Sequence, residues 1–353
     1  MTKRLQDISI YLGNKCNFDC EYCDRGYIST KIGDQQLHPE DIPKLLTFLD
    51  SQDAFNNPPE MFSFHGGEPF VYVKLMDKFL DAITEKLESS TRFFIQTNGS
   101  LITQHRWFFE KWGKWLHISI SYDFMFQDLN RTMFQIGPAV ELMRELGVQD
   151  IQLQYVMPIN NPKVFSVGAI KAITDVCFKY GVRKLDLIPL RHLRGKDKFK
   201  VILDEVNLPQ FADAFMKFIQ VLYALGLDVI VDGHTTGFDK DYFGDHKQMI
   251  LSPDGLIYPE YDFLEYQWHQ TTIGKWKDGD IELTRTKDEE HLLLDHCKQC
   301  SSRDSCGLKY LFKGFDADPS NSQCAKFYQL LDVIIKHAQK LKQKPNFFHW
   351  IGV

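Results

Sequence analysis

Several features are scarce in this 353-residue chain, and each scarcity excludes a class of protein. No apolar run approaches the roughly 18 residues that cross a bilayer, so no membrane-spanning helix is expected. The first residues, MTKRLQDISIYLG, lack the long apolar core of a secretory signal. Positive charge is not in excess: Lys+Arg number 41 and Asp+Glu 47, a net of −6, which disfavours general attachment to a nucleic-acid backbone. There is no low-complexity tract, no short fixed-period repeat, no Ser–His–Asp pattern, no phosphate loop and no dinucleotide fingerprint. With 44% apolar and 25% charged residues the chain is not of the disordered class. These exclusions leave a folded, water-soluble, cytoplasmic protein of about two domains as the expectation.

Cysteine is what the chain does have, and its distribution is uneven. Eight cysteines in such a chain read as thiols and ligands rather than as a disulfide framework. Cys16, Cys20 and Cys23 form one group, Cys297, Cys300, Cys306 and Cys324 a second, and Cys177 stands alone.

Strand and helix patterns alternate through the first two thirds. Strand-like runs fall at Asp7–Leu12, Met61–His65, Arg92–Gln96, Trp115–Ser121, Ile151–Pro158 and Lys184–Pro189. Helical patterns lie near Glu40–Ser51, Lys74–Ser89, Thr103–Lys114, Pro138–Leu146, Val167–Tyr180 and Pro209–Leu225. Six βα units predict an α/β fold, a partial (β/α)6 barrel over residues 1–232. Its chemistry is expected in the loops at the C-terminal strand ends. Beyond about Asp232 the pattern shifts to glycine, aspartate and short strand pieces (Met249–Leu251, Leu256–Tyr258), predicting a small α+β domain over 233–353 closed by a helix from Ala325 to Lys342.

The first cysteine group reads Gly13-Asn-Lys-Cys16-Asn-Phe-Asp-Cys20-Glu-Tyr-Cys23, directly after the first strand. Three thiolates within eight residues must wrap one object from a loop. Soft thiolates select zinc, copper(I) or iron–sulfur clusters. A structural zinc takes four closed ligands, and no fourth Cys or His lies near. Three ligands on a four-iron cube leave one iron open.

This C-x3-C-x2-C spacing, with Tyr22 before the last cysteine, resembles the radical S-adenosylmethionine (SAM) superfamily. The second strand runs into Gly66-Gly67-Glu68-Pro69, similar to that family's Gly-Gly-Glu element. Gln96-Thr97-Asn98-Gly99 and Ser119-Ile-Ser121-Tyr-Asp123 are similar to strand ends of its peptide-modifying branch. The resemblance implies a [4Fe-4S] cluster on Cys16, Cys20 and Cys23, and S-adenosylmethionine bound by Tyr22, Gly66, Gly67, Glu68, Pro69, Asn98, Ser121, Arg131 and Leu190. In chemical terms, Gly66 and Gly67 let backbone approach a ligand closely, and Glu68 offers a carboxylate to an ammonium group. Ser121 suits a ribose hydroxyl, and Arg131 a carboxylate held bidentately. The implied reaction is reductive cleavage of the cofactor to a 5′-deoxyadenosyl radical, which takes hydrogen from an unactivated carbon.

Cys297, Cys300, Cys306 and Cys324 complete a site with no open position, and by spacing alone zinc and iron–sulfur compete. The pattern resembles the outer auxiliary site of the SPASM/twitch-type domain, implying a second [4Fe-4S] cluster for electron transfer or stapling. The chain departs from that family at the inner auxiliary site, where Glu260 and Tyr310 stand in cysteine positions. The inner cluster is therefore expected to be missing.

Asp123, Cys177 and Tyr310 are the catalytic candidates; for Cys177, on an apolar helix face with Ile170, Ile173 and Tyr180, core packing is the commoner role. Tyr122, Gln154 and Asn160 lie at or just beyond strand ends. The basic stretch 191–200 follows the sixth strand and suits either an acidic ligand or plain solvation. The tail Phe347–Trp350 is expected to fold over the core.

The favoured expectation is an enzyme that crosslinks, epimerises or oxidises a peptide or protein. It would draw electrons from a flavodoxin or ferredoxin. Because the cluster motif begins at residue 16, leader recognition would fall to a separate protein. A dehydrogenase or epimerase of a sugar, aminoglycoside or nucleotide is the alternative, and a non-catalytic zinc or iron–sulfur protein the third.

Overall fold

The structure is a computed structural model that describes residues 7–20, 22–23, 35–87, 91–127, 131–190, 192–194, 199–201, 203–231, 248–258, 274–277, 295–299 and 324–343. Strand β1 (Asp7–Tyr11) opens a series in which strands and helices alternate. It is followed by α1 (Ile42–Ser51), β2 (Met61–His65), α2 (Val73–Thr84), β3 (Arg92–Thr97), α3 (Arg106–Trp112) and β4 (Leu116–Ser121). The series continues with α4 (Ile136–Glu145), β5 (Asp150–Pro158), α5 (Val167–Lys179) and β6 (Lys184–Leu190). A short hairpin, β7 (His192–Arg194) and β8 (Phe199–Val201), precedes α6 (Leu208–Ala224) and β9 (Asp228–Val231). Then come β10 (Gln248–Leu251), β11 (Leu256–Tyr258), β12 (Gly274–Lys275), α7 (Asp295–Lys298) and α8 (Cys324–Lys342).

Local chemistry sets the helix boundaries. Ser166 and Asn207 accept from the third backbone N–H of α5 and α6, satisfying donors that the first turn leaves orphaned. Gly147, Gly181 and Gly226, all with left-handed φ, close α4, α5 and α6 and turn the chain back toward the next strand.

Ten strands form one sheet in the order β12-β11-β10-β1-β2-β3-β4-β5-β6-β9. From β10 to β9 every pairing is parallel, and β11 and β12 join antiparallel. The barrel row thus holds two parallel strands beyond the expected six. β9 extends it past β6, and β10 lies along β1 with Asp7 opposite Gln248. Helix α8 packs on α6 and β9, with the Phe327 ring 6.0 Å from Phe211 and Lys342 paired to Asp228 at 2.6 Å.

The register divides the strands of the sheet between an apolar and a polar face. Side chains alternate between faces along a strand. Ile8, Ile10, Phe62, Phe64, Phe93, Ile95, Ile118, Ile120, Ile151, Leu153, Leu185 and Leu187 form the helix-covered face, all buried. The other face carries Ser9, Ser63, Gln96, Ser119, Ser121, Gln152, Gln154 and Asp186, aligned across neighbouring strands. These polar groups pay for their burial by bonding one another: Ser63 donates to Asp7 at 2.7 Å and Gln152 to Ser119 at 3.2 Å.

Candidate active site

The C-terminal ends of β1 to β5 surround a cavity of about 420 Å³. Cys16, Cys20 and Cys23 line it from the loop after β1, and Gly66, Gly67 and Glu68 from the loop after β2. Asn98, Ser121 and Arg131 line it from the ends of β3 and β4 and the segment after β4.

The cysteine loop is laced to the β2 loop by backbone. Leu12 N donates to His65 O at 2.8 Å, Gly67 N to Gly13 O at 2.9 Å and Glu68 N to Lys15 O at 2.9 Å. A Cβ on Gly67 would lie 2.5 Å from the carbonyl oxygens of Asn14 and Lys15, and one on Gly66 2.6 Å from Gly13 O. The close approach that these glycines permit is therefore to the cysteine loop itself, not first to a ligand as the sequence reading had it.

None of the three thiols is in a disulfide. Cys16 Sγ accepts from Phe18 N at 3.3 Å and lies 3.9 Å from Asn98 Nδ2. Among the described residues no three His, Cys, Asp or Glu side chains converge on one metal-sized point. The cysteines instead share the rim of one cavity. Three soft thiolates on the rim of one cavity are a donor set that an iron–sulfur cube accepts.

Glu68, 1% exposed, accepts from Thr97 Oγ1 at 2.6 Å and Phe70 N at 3.0 Å on Oε1, and from Asn98 N at 2.7 Å on Oε2. Burial raises its pKa above the usual carboxylate value, and these donors pull the other way. A carboxylate has about four acceptor sites, so one on Oε2 is left for a further donor such as an ammonium.

Tyr22 is held between two groups. Arg131 Nη1 donates to its hydroxyl at 2.8 Å, and the hydroxyl donates to Asp123 Oδ2 at 2.8 Å. Burial first, then the charge of Asp123, holds that phenol well above its ordinary range. Asp123 has no exposed surface, and its Oδ1 also accepts from Val156 N at 3.3 Å. Arg131 Nε is buried without a partner among the described residues, a donor still open toward a bound anion. Opposite, Gln96 Nε2 donates to Gln154 Oε1 at 2.7 Å, Ser121 Oγ donates to the same oxygen at 3.3 Å, and Gln154 Nε2 reaches Asp186 at 3.5 Å.

Of the nine expected cofactor contacts, the structure brings Tyr22, Gly66, Gly67, Glu68, Asn98, Ser121 and Arg131 to the cavity wall. Pro69 begins the helical turn after Glu68 and Leu190 ends β6; both are buried and neither lines the cavity. Asp123 lies behind Tyr22. Cys177 is wholly buried in the core, its thiol pushed up to about 12 by burial, and is not on the cavity wall. The Tyr122 ring packs edge-on to Phe124 and Phe134, and Asn160 bonds Glu205. Backbone places Cys297 on α7 and Cys324 at the start of α8. Cys300, Cys306, Glu260, Tyr310 and the tail 346–353 lie outside the described residues, and the basic stretch 191–200 is described only in part, as the hairpin β7–β8.

His65, Tyr11 and Val156 also line the cavity and were not singled out from sequence. The alternation in Met-Phe-Ser-Phe-His was the signal for His65: it shares a face with Ser63. Burial lowers the His65 pKa to about 3, so the ring is neutral near pH 7.

A parallel α/β sheet whose strand-end cavity carries three cysteines defines the class, and comparison with known proteins shows what the chain resembles. Residues 10–158 match the radical SAM superfamily model. It is similar, at 26% identity over 111 residues, to the radical SAM cyclopropyl synthase TigE of Paramaledivibacter caminithermalis; the match covers 29% of this chain and 24% of TigE. Among solved structures, anSMEcpe with bound AdoMet aligns at a TM-score of 0.54 and 18% identity over 96% of this chain and 99% of that one. SuiB of Streptococcus suis, bound to its precursor peptide SuiA, aligns at 0.55 and 18% identity over 87% of this chain and 71% of that one. These two likenesses establish the fold. Among the described residues no helix is long and apolar enough to cross a membrane.

Proposed function

We propose that the chain is a radical SAM enzyme that removes hydrogen from a peptide or protein, leading to a crosslink, an epimerised residue or an oxidised side chain. One observation carries the reading: Cys16, Cys20 and Cys23 share a single cavity with Glu68, Ser121 and Arg131 at the strand ends. Cys16, Cys20 and Cys23 would hold a [4Fe-4S] cluster, leaving one iron open for S-adenosylmethionine. When bound and reduced, the pair supplies a 5′-deoxyadenosyl radical.

The chain's own residues bind and orient. The open acceptor site on Glu68 Oε2 suits the cofactor's ammonium, and the unpartnered Arg131 Nε suits its carboxylate. Ser121 takes a ribose hydroxyl. Gln96, Gln154 and neutral His65 give the wall a polar but uncharged surface, suited to hydrogen bonding a substrate without attracting bulk ions. Cys297, Cys300, Cys306 and Cys324 would hold a second cluster that relays the electron left on the substrate, with a flavodoxin or ferredoxin as donor. That SuiB has been solved bound to precursor peptide SuiA supports the choice of a peptide substrate.

The test is 5′-deoxyadenosine formation by the anaerobically reconstituted chain with reductant, adding peptide-sized and small-molecule fractions separately. Stimulation by the peptide fraction is expected. Stimulation by the small-molecule fraction alone would replace the peptide by a sugar, aminoglycoside or nucleotide. No deoxyadenosine with a full cluster would leave a non-catalytic metal protein.

A further inference from the structure

We propose that Arg131 sets how readily the cluster on Cys16, Cys20 and Cys23 is reduced, and that Asp123 is a positioning residue that opposes it through Tyr22. The inference rests on the reading of those cysteines as cluster ligands.

Its basis is a chain of contacts that ends at the cysteines. Arg131 shares the cavity wall with all three. Its Nη1 is 2.8 Å from the hydroxyl of Tyr22, and its guanidinium carbon lies 5.9 Å from the centre of that ring. Tyr22 directly precedes Cys23 and stands two residues after Cys20, so a group fixed on Tyr22 is fixed on the cysteine loop. Proximity is also felt electrostatically: burial works against the Arg131 charge, while Tyr22, the Cys20 thiolate and Asp123 favour it. On the far side, the Tyr22 hydroxyl donates to Asp123, whose other oxygen accepts from Val156 N. Asp123 is fully buried and does not line the cavity.

Arginine stays a cation at any working pH. In a poorly screened interior its field extends over several ångströms. Reduction adds one negative charge to a cluster that already carries thiolates. A fixed cation beside it lowers the energy of the reduced state, and a fixed anion raises it. Arg131 faces the cavity while Asp123 lies behind Tyr22, so the cation acts from nearer and prevails. Arg131 Nη1 is held in place by the same hydroxyl that Asp123 orients, which makes the geometry of the cation depend on the buried anion.

The experiment is a redox titration, without S-adenosylmethionine, of reconstituted wild type, Arg131→Gln, Arg131→Lys and Asp123→Asn chains. Reduced cluster is read by electron paramagnetic resonance, following the signal that Cys20→Ala abolishes. Arg131→Gln is expected to lower the midpoint, so that at the wild-type midpoint the reduced-to-oxidised ratio falls on the order of tenfold. Asp123→Asn is expected to raise it by less, and Arg131→Lys to stay near wild type. Shifts of opposite sign are not produced by loosened packing. Two shifts in the same direction, or none, would overturn the inference while leaving the cluster assignment intact. If Arg131→Gln fails to hold cluster, Asp123→Asn decides: a raised midpoint supports the inference and an unmoved or lowered one overturns it. A wild type that binds no cluster would overturn the proposed function and the inference together.

Discussion

Glu68 and Thr97 are joined by a 2.6 Å hydrogen bond between the loop after β2 and the end of β3. The bond has no solvent-facing partner to replace it, since both residues are buried. Glu68 therefore holds two strand ends at a fixed separation before it can meet any ligand. Its carboxylate orders the Phe70 and Asn98 amides at the same time.

Glu68→Gln turns one acceptor oxygen into a donor that faces Thr97, Phe70 or Asn98. A buried donor left facing another donor costs about 1–3 kcal/mol. The variant is expected to lose stability of that order in urea unfolding, and S-adenosylmethionine binding with it. Thr97→Val removes the donor to Glu68 and also the acceptor of Gly99 N, and is expected to cost a comparable amount. Equal stability for Glu68→Gln and wild type would remove the strand-bridging role.

Gly67→Ala places a methyl within 2.5 Å of two backbone carbonyls, which no rotamer can relieve. The cysteine loop must then move from the β2 loop. Iron content after reconstitution is expected to fall sharply, while far-ultraviolet circular dichroism stays close to wild type. Full iron loading would show that the lacing of the two loops is not needed.

Cys20→Ala is expected to abolish 5′-deoxyadenosine formation, and Cys300→Ala to spare part of it. Full activity of the Cys20 variant would refute the placement of the site. Cys177→Ala removes a buried sulfur from the core and is expected to cost about 1–2 kcal/mol of stability with turnover unchanged. A loss of turnover at unchanged stability would instead make Cys177 a hydrogen donor.

His65 gives a pH dependence whose sign can be worked out. Its folded pKa, about 3, lies below the ordinary histidine value of 6.5, so between these limits the unfolded chain binds the extra proton. Stability contributed by the neutral ring is fully present above pH 6.5 and is lost progressively as pH falls toward 3. Glu68, raised by burial, slopes the other way at acid pH, so the informative quantity is a difference. His65→Gln is expected to flatten the wild-type loss of stability between about pH 4 and 6.5, read by denaturation midpoints. Parallel curves for the two chains would mean that His65 is hydrated in the folded protein.

Much of this was legible in the sequence because local rules decide it. Alternating strand and helix periods gave the βα series, and Cys16, Cys20 and Cys23 announced their own loop. Met61–His65 and the helix ending at Lys342 fall where the pattern put them. What was not legible depends on register between distant strands. No local pattern says that β10 lies along β1, or that Gly67 meets Lys15. The polar face was readable in principle, since Leu-His-Ile-Ser-Ile-Ser alternates strictly, but alternation alone does not say that the polar side turns inward. Asp123 was picked out for lying at a strand end; its bond to Tyr22 joins residues 101 apart in sequence.

The pairing of β10 with β1 also bears on how the protein is made. Ile8 to Ile10, the strand that launches the cysteine loop, is flanked on one side by β2 and on the other by Met249 to Leu251. The first neighbour leaves the ribosome early, the second only after two thirds of the chain has been synthesised. Until then one edge of the cluster-bearing strand stays open to the wrong partner. A nascent chain that acquires its iron before β10 is docked would load it onto a loop whose supporting strand is only half enclosed.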